Sequence, residues 1–486
     1  MRDYSTFLKL RTLPTYSWSG TTAVVPDEYA SYLDESPPVP PDVDYVAHPR
    51  LFDYQRDIAT MAIRKRKFAI FADCGLGKTL MLLEFARHVS RHDPAGRVLI
   101  VSPLMVVRQT VAESQKFYGG DITLQPIAAS ELPAWMRSGT GIGITNYESI
   151  RDDLPDGSLS GLILDESSML KSHYGKWGTR LIALGRGVTF KLACTGTPAP
   201  NDRIEYANHA VFLDCCRTTN EFLATYFVNR GKTQNRWEIK PHALRPFYRD
   251  LSHWCVFLSD PSVYGWNDNT DTIPPIHVHI DYVPMTAEQR AACQQLTGSL
   301  LVKEAGGIGQ RGKLSQIAKG HWNGEPIHTR KPEFIRNLIE SWPGESTIVW
   351  CHFNAEQDIM ESTFPEAHSI RGETTYESRL QQLDDFLSGR VKILISKPSV
   401  LGFGLNLQIA TRQVFNGMRD SYEEFYQAVK RSNRIGSTRP LHVHIPVTEI
   451  EEPMVSSVLT KADRVESDTA EQESLFREMM LQRNRD

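Results

Sequence analysis

Along most of this chain, short apolar runs alternate with stretches whose apolar residues recur every three or four positions. Between residues 51 and 213 the runs at 68–71, 98–101, 142–145, 162–164 and 190–193 read as strands, and the pattern over 80–89 reads as a helix. The alternation resumes after Pro275, with strands near 276–283, 347–351, 391–395, 414–416 and 442–445. Helical patterns lie near 287–302, 331–341, 376–387 and 422–434. Strands interleaved with amphipathic helices indicate parallel sheets with crossover helices. The pattern therefore predicts an α/β protein of two similar lobes, residues 46–218 and 276–450. Residues 219–275, rich in charge and aromatics, read as an irregular basic and aromatic connection. Residues 1–45, with Pro37, Pro38, Pro40 and Pro41, read as an irregular extension. Residues 451–486 read as a polar tail with one helix near 472–481.

Composition narrows the class without changing this picture. The chain has 486 residues, 41% hydrophobic and 23% charged, enough for two or three domains with sizeable cores. A net charge of -4 argues against a uniformly basic coat for nucleic acid but allows a local positive groove. No apolar stretch is long enough to span a bilayer, and Met1-Arg2-Asp3-Tyr4 opens no signal-peptide run, so the expectation is a cytoplasmic protein with no membrane partner. The seven cysteines form no C-x-x-C pair, and the fifteen histidines show no ligand spacing, so no metal beyond Mg²⁺ is expected.

The chemistry starts where the first strand meets the first helix. The run Asp73-Cys74-Gly75-Leu76-Gly77-Lys78-Thr79 stands between them, the context of a phosphate-binding loop. Gly75 and Gly77 let the backbone curl so that its N–H groups face an anion at a helix N-terminus. Lys78 can reach the β- and γ-phosphates, and Thr79 can hold Mg²⁺. Ala72 stands where the first glycine of the full pattern would be. The strand at 162–164 delivers Asp165 and Glu166, one to support the metal and one to orient or deprotonate water; a strand ending in a helix-capping acid is the plainer alternative. Thr195-Gly196-Thr197-Pro198 is a hydroxyl-rich turn that can link a nucleotide site to a second ligand. On the predicted helix 422–434, Gln427, Arg431 and Arg434 share one face, and two arginines so placed suit a γ-phosphate.

The order of these blocks, from about residue 50 to 447, resembles the superfamily 2 helicases and translocases, within them the Swi/Snf-like group of compact phage or bacterial type. Leu51-Phe52-Asp53-Tyr54-Gln55 is similar to the segment whose glutamine, here Gln55, reads the adenine edge. Gly402-Phe403-Gly404-Leu405-Asn406-Leu407 resembles the G-x-G-L-N-L block, and residues 427–436 resemble Q-A-x-x-R-x-x-R-I-G. The resemblance implies two RecA-like lobes with an ATP site in the cleft between them, ATP and Mg²⁺ as cofactors, and catalytic roles for Lys78, Asp165, Glu166, Arg431 and Arg434. It implies nucleotide contacts from Gln55, Gly75, Gly77, Lys78, Thr79 and Gln427, with Thr79 and Asp165 on Mg²⁺. It implies nucleic-acid contacts, mostly to phosphates, from Ser102, Pro103, Asn146, Tyr147, His352, Phe353, Gly404 and Asn406.

Two departures stand out. Ser167-Ser168 replaces the usual continuation of the acid box, and Ser437 follows R-I-G where glutamine is usual. The expected function is ATP-dependent translocation along, or remodelling of, single-stranded, duplex or forked DNA in phage or bacterial replication, recombination or repair, with a protein partner from that pathway. An RNA helicase, a nucleotide-gated clamp or loading factor, and a restriction-system motor subunit are the alternatives. The basic run Arg64-Lys65-Arg66-Lys67 reads as a solvated helix end. The cations and rings between 229 and 249 suit either a nucleic-acid channel or a surface packed on the core.

Overall fold

The computed structural model describes residues 10, 13, 15–20, 22–26, 29, 45–155, 159–171, 175–200, 202–231, 237–267, 273–297, 308–401, 405–418, 422–434 and 436–483. The chain divides into two compact units, Met1–Asp268 with Ser467–Asp486, and Asn269–Glu466.

The main sheet of the first unit has seven strands: β1 (Lys67–Ala72), β2 (Arg97–Ser102), β3 (Leu124–Pro126), β4 (Gly141–Asn146), β5 (Gly161–Asp165), β6 (Phe190–Thr195) and β7 (Cys255–Leu258). Their order in the sheet is β7-β1-β6-β5-β2-β4-β3, and every pairing is parallel. Side chains alternate across such a sheet. Phe71, Val101 and Leu164 accordingly enter one apolar cluster, while Ile70, Ile100 and Ile163 enter another. Both faces are covered, which is why the central strands read as unbroken apolar runs rather than as alternating ones.

Residues 219–258 correct the expectation of an irregular connection. They form helix Thr219–Tyr226, a hairpin of Phe227–Asn229 with Trp237–Ile239, helix Leu244–Trp254, and β7. Phe222, Phe247, Tyr248 and Trp254 are buried in the first unit's core. Lys240 donates to the carbonyls of Ala224 at 2.7 Å and Thr225 at 3.0 Å, and Arg203 Nε donates to Tyr248 Oη at 2.8 Å. The rings and Lys240 are parts of a packed layer, whereas Arg230, Arg245 and Arg249 are exposed. Short helices carrying many charges blurred the period, and a four-residue strand is too short to announce itself. Lys232 and Arg236 lie outside the described residues.

The second unit carries β8 (Ile276–Tyr282), β9 (Thr347–Trp350), β10 (His368–Ile370), β11 (Ile393–Ser396), β12 (Arg412–Phe415) and β13 (Leu441–Val447), in the order β8-β13-β12-β9-β11-β10. All of these pairings are parallel too. The expectation of two parallel-sheet α/β lobes is borne out. In this unit Glu451, fully buried, accepts from Lys319 at 2.8 Å and Lys331 at 2.5 Å. In place of one short helix near 472–481, the tail is a helix of 32 residues, Glu452–Arg483. Met454 and Val458, one turn apart, are buried at its start. Among the described residues no helix is long and apolar enough to cross a membrane.

Candidate functional site

The chemistry of the first unit gathers at the carboxyl ends of its strands, where open α/β sheets bind ligands. β1 ends at Ala72, and the Asp73 N–H donates across to Leu258 O of β7 at 2.8 Å. Ala72 is still strand, and its φ is not positive, so the missing glycine costs the turn nothing. The sharp bends fall later, at Gly75 (φ 93°) and Gly77 (φ 72°), where glycine alone is unstrained. Gly77 also leaves room for Gln55: a Cβ there would lie 2.3 Å from Gln55 Nε2, and that amide would have to shift. Helix Lys78–His92 starts directly after it, so the loop opens on a helix N-terminus. Lys78 Nζ folds back over the curl, donating to Ala72 O at 2.7 Å and Asp73 O at 3.1 Å.

Gln55 sits behind this loop, 2% exposed. Its amide donates to Leu76 O at 3.2 Å and accepts from Phe52 N at 3.1 Å, which locks helix Asp53–Lys65 to the loop.

At the end of β5, Asp165 and Glu166 are both buried. Ser102 Oγ donates to Asp165 Oδ2 at 2.9 Å, and Tyr147 Oη donates to Asp165 O at 2.6 Å. Burial, helped by neighbouring Glu166, pushes the Asp165 carboxyl up to about 6, while Ser102 and the Lys78 ammonium act against that rise. Glu166 has a left-handed backbone, φ 55°, unusual for a residue with a side chain and common where function holds the chain in place. Its Oε2 accepts from Thr195 Oγ1 at 3.2 Å, and Thr195 Oγ1 accepts from Thr197 N at 3.1 Å. The hydroxyl-rich turn is therefore bonded to the acid box. It also lies beside the loop, since a Cβ on Gly196 would be 3.6 Å from Lys78 Nζ.

The unusual Ser167 has a partner that the sequence did not indicate. Its hydroxyl is 3.0 Å from His209 Nε2, with both groups buried, and Asn208 Nδ2 donates to Leu170 O at 2.7 Å. Helix Tyr206–Phe212 thus holds the turn after the acid box from behind. Burial lowers His209 to about 4, so the ring is neutral near pH 7.

Ser102 and Tyr147 were expected to touch nucleic acid. They are 0% and 1% exposed, and their hydroxyls are engaged with Asp165, so their side chains serve the acid box instead. Asn146 Oδ1 caps the following turn at Ser149 N, 3.0 Å away, and Pro103 precedes helix Leu104–Tyr118. Residues present at this strand edge fit Mg²⁺ with a nucleotide: the Thr79 hydroxyl and the Asp165 carboxylate are hard oxygen donors, with the Lys78 ammonium close enough to act on Asp165.

In the second unit, His352 N and Phe353 N donate to Glu356 Oε2 at 2.6 and 3.0 Å, and His352 Nε2 is 3.3 Å from Gly417 O. Asn406 closes a turn by accepting from Gln408 N at 3.2 Å, while Gly404 lies outside the described residues. The expectation that Gln427, Arg431 and Arg434 share a helix face is corrected. The helix is Tyr422–Val429, so Gln427 is on it and both arginines follow it. Bonds tighten at that end, from Lys430 N to Tyr426 O and then Arg431 N to Ala428 O. Ser432 and Asn433, which compete for backbone partners, stop the helix there, and Asn433 Nδ2 donates to Pro274 O at 2.7 Å. Arg431 is 2% exposed, and Arg434 Nε donates to Lys430 O at 2.9 Å.

Known proteins are similar to this chain along most of its length. Residues 55–325 match the SNF2-related domain, and residues 330–436 match the helicase conserved C-terminal domain. The chain is 24% identical over 433 residues to protein p41 of Acyrthosiphon pisum secondary endosymbiont phage 1, covering 80% of this chain and 91% of that one. It is 24% identical over 438 residues to the ATP-dependent DNA helicase DDM1 of Arabidopsis thaliana, covering 77% of this chain but only 55% of the plant protein. A solved SWI2/SNF2 ATPase core of Sulfolobus solfataricus in complex with double-stranded DNA aligns with 88% of this chain and 96% of that one, at 20% identity and a TM-score of 0.42. With the SNF2-related model spanning more than half of its length, this chain belongs to the SNF2-related, Swi/Snf-like family of superfamily 2 ATP-dependent helicases and carries that family's ATPase core.

Proposed function

We propose that this protein is a DNA translocase that couples ATP hydrolysis to movement along, or remodelling of, DNA in phage or bacterial replication, recombination or repair. The observation that carries the reading is the cluster at the carboxyl ends of neighbouring strands: Lys78 in the loop, Gly196 beside it, Thr195 bonded to Glu166, and Asp165 held by Ser102. Such a cluster ties a nucleotide loop, an acid pair and a coupling turn into one unit. The plant relative, named as a DNA helicase, supports a DNA track, and the phage relative supports a phage setting.

In this reading the loop N–H groups and Lys78 bind the phosphates, and Lys78 exchanges its two carbonyl partners for phosphate oxygens. Gln55, already packed on the loop, orients the base. Thr79 and Asp165 would hold Mg²⁺, which would neutralise charge on the phosphates. Glu166 accepts the proton of the attacking water, held in place by Thr195. Arg431 and Arg434 supply positive charge to the transferring phosphoryl group, an effect worth about 10³–10⁵ in rate. Pro103, Asn146, His352, Phe353, Asn406 and Gly404 contact the nucleic-acid backbone, so binding is sequence-tolerant and salt-sensitive.

The test is the ATPase rate without nucleic acid, then with single-stranded, duplex and forked DNA and with RNA. Stimulation by one DNA form supports the proposal and names the track. Stimulation by RNA alone moves the protein to RNA, and no stimulation by any of them favours a gated clamp.

A further inference from the structure

Residues 467–486 return to the first unit through the end of helix Glu452–Arg483. Two adjacent polar residues there, Gln472 and Glu473, are 4% and 5% exposed. Glu473 Oε1 accepts from Ser259 N at 2.5 Å and from Ser259 Oγ at 2.8 Å. Gln472 Nε2 donates to Tyr206 Oη at 3.3 Å, and Leu475 packs on the same apolar core. A buried carboxylate is costly unless well bonded. Burial raises the Glu473 carboxyl, and the N–H groups of Ser259 and Asp260 together with the Ser259 hydroxyl act against that rise.

The place of these contacts gives them meaning. Ser259 follows directly on β7, an edge strand whose one sheet partner is β1. Leu258, the last residue of β7, is in register with Ala72, and its carbonyl accepts from Asp73 N at 2.8 Å, the first bond of the nucleotide loop. Tyr206, held by Gln472, lies with its ring 5.9 Å from Phe71 of β1 and 6.1 Å from Phe257 of β7. One polar contact of the tail therefore ends one residue beyond β7, the strand paired with β1, and the other ends one ring away from β1, which launches the loop. The end of an edge strand frays unless its backbone groups are capped.

We infer that Glu473 is a positioning residue for the nucleotide loop: by capping the Ser259 turn it keeps Leu258 O in place for Asp73 N, and so holds the loop ready for phosphates. Gln472 assists through Tyr206. The inference rests on the reading of residues 73–79 as the nucleotide loop.

The experiment uses the full chain with Glu473→Ala, Glu473→Gln and Lys78→Ala. Amide hydrogen exchange of peptides covering residues 71–79 is measured without nucleotide, and binding of a fluorescent ATP analogue is titrated. Glu473→Ala removes the acceptor of two hydrogen bonds from Ser259, and the expected results are faster exchange over 71–79 and a Kd raised about tenfold, with kcat at saturating ATP changed by less than about twofold. Glu473→Gln keeps an acceptor for Ser259 and should fall between wild type and Glu473→Ala in both readouts. Unchanged exchange and Kd in Glu473→Ala, beside a wild type that binds and a Lys78→Ala that does not, overturn this inference and leave the nucleotide loop standing. Wild type that binds no nucleotide overturns both. Glu473→Gln no better than Glu473→Ala, with both losses following the melting temperature, would reduce Glu473 to general packing and also overturn the inference.

Discussion

Ser102 donates its hydroxyl hydrogen to Asp165 Oδ2 at 2.9 Å, with Ser102 fully buried and Asp165 only 6% exposed. The two residues end neighbouring parallel strands, so the sheet itself sets their approach. Ser102→Ala should leave a buried carboxylate oxygen without its donor and lower kcat/KM for ATP by about tenfold, the expected worth of one hydrogen bond to a charged group. DNA affinity, read by fluorescence anisotropy, should stay within about twofold of wild type, since a buried hydroxyl cannot meet a phosphate. Loss of DNA binding with intact basal hydrolysis would return Ser102 to the nucleic-acid groove.

Glu166→Gln keeps the shape of the side chain and its bond from Thr195 while removing the basic carboxylate. It should bind ATP and DNA as wild type does and hydrolyse ATP about 10²–10⁴-fold more slowly. Retained turnover in single-turnover assays would remove Glu166 from the base role.

Arg431→Ala should spare nucleotide binding and lower hydrolysis by about 10³-fold or more. Because Arg431 is 2% exposed, the melting temperature must be followed in parallel, with Arg431→Lys as the milder change. Normal turnover in either variant would end the assignment of Arg431 to the transition state.

Glu451, with no exposed surface, bonds both Lys319 and Lys331. Burial opposes its charge, yet the two ammonium groups pull its carboxyl down to about 2. A carboxyl depressed on folding adds stability above its unfolded value near 4.5, and that stability is lost as pH falls from there through about 2. Glu451→Gln should destabilise the second unit by about 3–5 kcal/mol, because two buried ammonium groups lose their counter-charge. Denaturant midpoints across that pH range check both statements. A variant as stable as wild type at pH 7, with the same acid profile, would refute them.

Much of the fold was legible because its signals are local. Buried parallel strands such as β1 and β2 are unbroken apolar runs that recur between turns and helical stretches, and that alternation marks them as strands. Residues 219–258 were not legible, because their apolar residues are scattered among charges and become a core only when helices Thr219–Tyr226 and Leu244–Trp254 pack together. The end of helix Tyr422–Val429 was misjudged for a related reason: periodicity continued past it, while Ser432 and Asn433 found partners outside the helix.

The candidate site divides along the same line. The sequence by itself determined the three segments proposed here as nucleotide loop, acid pair and coupling turn. Each is a short segment whose residue types state its chemistry: glycines for left-handed φ, a lysine and threonine at a helix start, acids at a strand end. Only the tertiary structure decided that Ser102 and Tyr147 turn inward to Asp165, that Ser167 meets His209, and that Glu473 caps Ser259 from 214 residues away. Those contacts join segments distant in the chain, and a side chain's direction depends on the neighbours that the sheet brings beside it. A local pattern can announce a reactive group, whereas the groups that hold it in place become visible when the chain has closed around it.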